Sequence, residues 1–168
     1  WDCSSLTSIE WNAKHCSIPN SNKPSSNPIF PECPQISSFT FGDSVEYIPS
    51  FLCFDMKALT SIVIPNSVTT VGEGIFYGCN ALESVVLSEN ITEFPSLQTT
   101  NTYGKTIYYG CFGECSSLKS ISIPHSVTNI GTGAFRSCTS LTSVIIGNGV
   151  TSIGNGIFIQ CTALTSVT

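Results

Sequence analysis

The sequence predicts a right-handed repeat solenoid, mostly β, with short parallel strands, turns and 3₁₀ segments. Three observations predict it. A pattern of apolar residues returns at a fixed 23-residue interval, the remainder of the unit returns in register with it, and a Pro or Gly follows most of the apolar runs.

The pattern reads Leu-x-Ser-Ile-x-Ile and begins at Leu59. It returns at Leu82, Leu118, Leu141 and Leu164, at intervals of 23, 36, 23 and 23 residues, where 36 is one unit plus an insertion of 13. In the other direction, Ile36 stands 23 residues before Leu59, and Leu6 stands 30 before Ile36, one unit plus seven. Residues 1–168 therefore form a single solenoid of about seven coils, irregular in the first, with a loop at 17–35, an insertion near 95–107 and the last coil cut off. The rest of the unit repeats as well: the stretch from Val68 to Cys79 aligns with Val127 to Cys138 and with Val150 to Cys161.

Each part of the unit has a physical reading. Ile62 and Ile64, two apart, mark a short strand with one face in the core. Pro65 and Pro124, or Gly42 and Gly147, end that strand. A second inward pair follows, Val68 with Val71, and the Gly-x-Gly step at Gly72, Gly131 and Gly154 is expected to supply the positive φ of a sharp corner. A Phe-x-x-Cys step then closes the coil. One coil cannot hide these apolar residues alone, so copies stack and bury one another. Seven coils at strand spacing make a slab on the order of 30 Å long.

These residues resemble the BspA-like leucine-rich repeat proteins, whose unit reads roughly Leu-x-x-Ile-x-Ile-Pro-x-x-Val-x-x-Ile-Gly-x-x-Ala-Phe-x-x-Cys. The resemblance runs from Leu6 to Thr168 and is most specific in the units starting at Leu59, Leu118 and Leu141. It implies a leucine-rich repeat right-handed solenoid, extracellular or on the cell surface, of the kind found in gut Bacteroidetes, where such proteins are regarded as adhesins and binders of host proteins. The chain departs from the wider leucine-rich pattern in having no Asn ladder after the strand. It departs from its own at Pro49 and Pro95, which stand where the corner glycine belongs.

Composition narrows the function. Only 10% of residues are charged, against about 25% in soluble domains, so Ser, Thr, Asn and Gly must supply most of the wet surface. A net charge of −5 without any basic run argues against nucleic acid as a partner. No apolar run approaches the roughly 20 residues of a membrane span, so no membrane insertion is expected. The chain opens on Trp1 with no signal-like segment, so any targeting signal has been removed or lies outside it.

The nine cysteines follow the repeat. Cys33, Cys79, Cys115, Cys138 and Cys161 share one column, Cys53 takes the Phe position, and Cys111 the slot of Ala134 and Ile157. Columns otherwise apolar point to buried free thiols. Disulfides between stacked neighbours fit less well, because parallel side chains keep their Cβ atoms near 4.8 Å apart instead of about 3.8 Å. A collinear column also cannot surround a zinc ion. No cofactor is expected.

Catalytic material is scarce, and the chain reads as no enzyme. His15 and His125 fall in irregular or turn segments, and no nucleophile elbow or phosphate-cradling loop appears. Paired acids such as Glu89 and Glu93 could neighbour each other as in a carbohydrate-active enzyme, and solvated loop charges account for them better.

Two surfaces suit binding. Along the strands, outward positions form a Ser column (Ser8, Ser38, Ser61, Ser84, Ser120, Ser143, Ser166) and a mixed one (Glu10, Thr40, Val63, Val86, Ser122, Ile145, Thr168). Val63, Val86, Ser120, Ser122 and Ile145 would form a shallow platform, unless small residues were chosen there only for flat stacking. The second surface is the later insertion, with Tyr103 and Lys105 followed by Tyr108 and Tyr109, aromatics and a cation that suit an interface or pack on their own coil. The expected function is a non-enzymatic secreted or cell-surface binding module for a host or neighbouring-cell protein, with a glycan possible. A passive spacer within a larger surface protein, or end-to-end self-association, are the alternatives.

Overall fold

A computed structural model describes residues 3–16, 29–30, 33–101 and 103–168. Most of the expected loop at 17–35 lies outside these residues. Of its described part, Ile29 and Phe30 pack onto the core and Cys33 is buried in it.

In chain order the strands are β1 (Ser8–Trp11), β2 (Ser38–Phe41), β3 (Tyr47–Ile48), β4 (Ser61–Val63), β5 (Thr70–Val71), β6 (Ser84–Val86), β7 (Glu93–Phe94), β8 (Ser96–Thr100), β9 (Thr106–Gly110), β10 (Ser120–Ile123), β11 (Asn129–Ile130), β12 (Ser143–Ile146), β13 (Ser152–Ile153) and β14 (Ser166–Val167). The Leu-headed pattern gives the main strands, paired parallel as β1–β2, β4–β6 and β10–β12–β14. The second inward pair gives a second parallel series, β3–β5 and β7–β11–β13. Partners stand one unit apart, so like meets like: Ser120 pairs with Ser143 and Ser143 with Ser166. Because side chains alternate along a strand, Phe39, Ile62, Ile121 and Val144 are buried while their neighbours face solvent.

Behind the strands, Phe76, Phe112, Phe135 and Phe158 stack as a spine with ring centroids 5.6, 5.5 and 5.8 Å apart and planes within 21° of parallel. Beside it runs the thiol column. Cys79 Sγ donates to Cys53 O (3.0 Å), Cys115 to Phe76 O (3.2 Å), Cys138 to Phe112 O (3.2 Å) and Cys161 to Phe135 O (3.0 Å). Each thiol thus satisfies a carbonyl of the preceding coil, which an alkyl side chain of the same size cannot do. Seven of the nine cysteines are buried, and Cys3 and Cys16 are half-buried. Burial pushes Cys79 up to about 12 and holds Cys53 and Cys115 well above the usual thiol range. Cys138 is raised by its hydrogen bond with Cys161 and then by burial.

Hydroxyls do on the surface what thiols do inside. Thr142 Oγ1 donates to Lys119 O (3.0 Å), Thr165 to Thr142 O (3.1 Å), Thr151 to Thr128 O (3.2 Å) and Thr139 to Ser116 O (3.3 Å), each acceptor 23 residues earlier. This explains a surface so poor in charge. After the strand, Glu89 N donates to Asn66 Oδ1 (3.0 Å) and Asn148 N to His125 Nδ1 (3.2 Å), so two side chains receive the next coil's backbone without forming an Asn ladder.

The corner also differs from expectation. The positive φ falls on the second glycine of each step, Gly74 (57°), Gly133 (66°) and Gly156 (61°). The first glycine is required by close approach: a Cβ on Gly131 would stand 2.7 Å from Phe94 O, and one on Gly72 2.3 Å from Ser50 N. After Pro49 the corner is kept by Phe51 at φ 60°. Four residues on lies a second left-handed column, Asp55, Gly78, Glu114, Ser137 and Gln160, which the pattern hid because only one member is glycine.

Three expected outcomes come from this packing. Gly133→Ala meets nothing nearer than 3.4 Å, so it tests the backbone alone, and urea unfolding is expected to show a loss of about 1–2 kcal/mol. In the native protein a thiol reagent is expected to label Cys3 and Cys16 rapidly and the seven buried thiols only after unfolding. Because burial makes Cys53, Cys79, Cys111 and Cys115 titrate above their unfolded value, the stabilisation they carry is complete below the unfolded pKa and lost as pH rises from about 9 toward about 12. The urea midpoint should therefore fall between pH 8 and pH 10, and an unchanged midpoint would contradict the burial of the column.

Candidate binding site beside the hairpin

The insertion read as a loop at 95–107 is a β-hairpin. β8 and β9 pair antiparallel from Ser96 with Gly110 to Thr100 with Thr106. Its turn is pinned by Asn101, whose Oδ1 accepts from Tyr103 N (3.0 Å) and Lys105 N (2.9 Å), with Gly104 at φ 75°. The signal for it was in the sequence: Thr99, Thr100, Thr106, Ile107, Tyr108 and Tyr109 are strand formers on both sides of an Asn and a Gly.

Neighbours in a strand face opposite ways, and this separates the two adjacent tyrosines. Tyr109 turns into an aromatic cluster, with ring centroids 4.9 Å from Tyr77, 5.7 Å from Phe51 and 6.3 Å from Phe54. Phe54 stacks on Tyr77 at 5.8 Å and 7°. Tyr109 is thus the fastening of the hairpin to the coils. Tyr108 turns the other way, over Gly133, whose missing Cβ leaves its place 3.4 Å from Tyr108 Cβ. Tyr103, at the tip, is 92% exposed.

Alongside β9 lie two adjoining depressions. One, of about 200 Å³, is lined by Tyr108, Gly133, Arg136, Asn155, Gly156 and Ile159. The other, of about 150 Å³, is lined by Tyr77, Lys105, Tyr108, Glu114 and Arg136. Tyr108 and Arg136 belong to both. The Tyr77 hydroxyl donates to the Glu114 carboxylate, and burial first, then Glu114, pushes this phenol far above its ordinary value. The groove therefore presents a phenol that stays protonated, a carboxylate already engaged, and two cations.

Those cations stand apart from the others. Lys14 pairs with Glu46 (2.9 Å), Lys57 with Asp55 (3.2 Å) and Lys119 with Glu83. Among the described residues, Lys105 and Arg136 are the two cations without an ion-pair partner, and both line this groove. Sequence reasoning named Lys105 and Tyr108 but missed Tyr77, Arg136 and Ile159, which occupy ordinary positions of the repeat. Nothing in a linear pattern says which coil the hairpin lies across.

The strand face carries the other expected residues. Ser120 and Ser122 face solvent, as do Val63 (60% exposed), Val86 (58%) and Ile145 (57%). Val63 pairs with Val86, and Ile145 with Ser122, which interrupts the apolar stripe. A depression of about 320 Å³ lies on this face between β2 and β4, which no backbone ladder joins, with Ser38, Thr40, Asp43, Ser61 and Val63 on its walls. It brings no cation and no aromatic tip together, whereas the hairpin groove does. Glu89 and Glu93 are both exposed, in the turn before β7 and on β7 itself.

The model of the BspA-type leucine-rich repeat region matches residues 2–103 and 94–168, in six copies. The chain belongs to this family. Among solved structures it is similar to a leucine-rich cell-surface protein of Faecalibacterium prausnitzii, at 21% identity and a TM-score of 0.52, over 98% of this chain and 60% of that one. It is also similar to a leucine-rich repeat protein of Eubacterium ventriosum, at 24% identity and a TM-score of 0.53, over 81% of this chain and 39% of the other. The BspA-type chain thus spans less than two thirds of the length of each, and at these identities the likeness speaks for the leucine-rich repeat fold alone. No curated protein matches it. Among the described residues, no helix is long and apolar enough to cross a membrane.

The two roles assigned to the hairpin tyrosines are separable. Tyr109→Ala is expected to cost about 2 kcal/mol or more in thermal or urea unfolding, through lost ring contacts. Tyr103→Ala should stay within about 0.5 kcal/mol of the parent.

Proposed function

We propose that this chain is a non-enzymatic binding module of a secreted or cell-surface protein, and that it recognises a protein partner through the hairpin side of its solenoid. The observation that carries the reading is the meeting of Lys105 and Arg136, both without ion-pair partners, with Tyr108 and the exposed Tyr103 on a turn held by Asn101. Rigid scaffolds present recognition residues on such insertions, and Tyr and Arg are the residues that most often anchor interfaces. The leucine-rich cell-surface relative supports the location. A second reading places the contact on the strand face, favoured by the exposure of Val63, Val86 and Ile145.

The test is surface-immobilised binding to extracellular-matrix proteins, mucins and glycans. It compares the parent chain with a Tyr103→Ala, Tyr108→Ala double variant that leaves the Tyr109 fastening intact, and with Val63→Asn, Ile145→Asn. Saturable binding to a protein is expected, lost in the tyrosine variant and kept in the strand-face variant. The reverse would move the site to the strands, and no binding by a folded parent chain would leave the spacer role.

A further inference from the structure

The two depressions beside β9 differ in character while sharing a wall, and that contrast bears on what enters them. The larger is floored by Gly133 and Gly156, both at positive φ, and flanked by the Tyr108 ring and by Ile159, an exposed aliphatic side chain. Its only charged group is Arg136, with the Asn155 amide beside it. The smaller is polar, with Lys105 and Arg136 facing Glu114 and Tyr77. Glu114 already accepts from the Tyr77 hydroxyl and makes no ion pair with Arg136, so both cations keep donors for an incoming acceptor.

We propose that this groove binds an extended acidic peptide segment of a partner protein, with a carboxylate side chain between Lys105 and Arg136 and a neighbouring aliphatic side chain over Gly133 and Gly156 against Tyr108 and Ile159. Charge complementarity commits the polar lobe. In a chain of net charge −5, the two cations without an ion-pair partner among the described residues converge here, and a guanidinium and an ammonium together suit a carboxylate. The apolar lobe commits the rest. Its volume of about 200 Å³ accepts one aliphatic side chain, and its sparse polar lining leaves the hydroxyls of a sugar ring without partners. The glycine floor matters because a Cβ at Gly133 would project beside Tyr108, 3.4 Å from its Cβ, and narrow the lobe. The proposal rests on the hairpin side being the binding surface, and it adds the class of ligand.

The experiment titrates the capped tetrapeptide Gly-Glu-Leu-Gly into the ¹⁵N-labelled protein, with Gln-for-Glu and Ser-for-Leu peptides and an acidic oligosaccharide as comparators. Saturable shifts are expected at Lys105, Tyr108, Gly133, Arg136 and Gly156, with affinity about tenfold lower for the Gln peptide or for R136Q, as expected for a lost charge-assisted hydrogen bond. Raised salt should weaken the Glu peptide and leave the Gln peptide nearly unchanged. Ile159→Ser should erase the preference for Leu over Ser while keeping that for Glu over Gln. Since R136Q alters a half-buried residue, the Gln peptide and the exposed Lys105→Gln give the same information with the groove intact. Equal binding of Glu and Gln peptides, shifts confined to the strand face, or saturation by the acidic oligosaccharide alone would overturn the proposal. If the tyrosine double variant loses protein binding while no peptide saturates the groove, the acidic-peptide inference fails and the binding-module reading survives. If the parent chain binds no protein and no peptide, both fail.

Discussion

Every coil of this chain can bury its apolar residues only against the copies of itself on either side, and the rest of the structure follows from that constraint. Stacking at strand spacing leaves each column a narrow choice of side chains, because whatever stands at one position must tolerate its own kind above and below. Apolar residues satisfy this along the strands, flat rings along the Phe76, Phe112, Phe135 and Phe158 spine, and thiols along the column beside it. Leu59, Leu82, Leu118 and Leu141, each between two described coils, are fully buried, while Leu6 and Leu164, in the first and last described coils, are half-exposed.

The polar side of the stack obeys the same constraint by different chemistry. A hydroxyl is small enough to repeat at strand spacing and can donate to the coil before it, as Thr142, Thr151 and Thr165 do. Charges cannot be stacked so closely without repulsion, and a chain built this way has little use for them. One of its few ion pairs, Lys119 with Glu83, joins opposite charges at equivalent positions of neighbouring coils. Against that background a groove holding Lys105 and Arg136 unpaired is an exception to the economy of the rest, and exceptions to a repeat are where recognition residues are sought.

Corners impose a further demand. The chain turns twice between the second strand and the next coil, and most of these turns take a residue with positive φ. Glycine carries this at Gly74, Gly133 and Gly156, but Phe51 and Glu114 carry it with full side chains, at a backbone cost of about 1–2 kcal/mol. Phe51 recovers it through its contacts with Phe54 and Tyr109. The cluster that fastens the hairpin therefore also holds a strained corner, so the insertion is tied to the scaffold by more than its two connecting segments.

The sequence alone determined the 23-residue unit, the places of the main strands, the outward columns through Val63 and Ile145 and the burial of the thiols, because each of these is a property of a column and a column is visible as a period. It also singled out Tyr103, Lys105, Tyr108 and Tyr109 as departures from that period. Only the tertiary structure decided that the insertion pairs with itself, that Tyr109 faces the coils and Tyr108 the groove, and that Arg136 and Ile159, from the two coils after the insertion, complete the walls. The reason is physical: a repeat specifies contacts between equivalent positions, whereas a hairpin laid across several coils makes contacts between positions that no period relates.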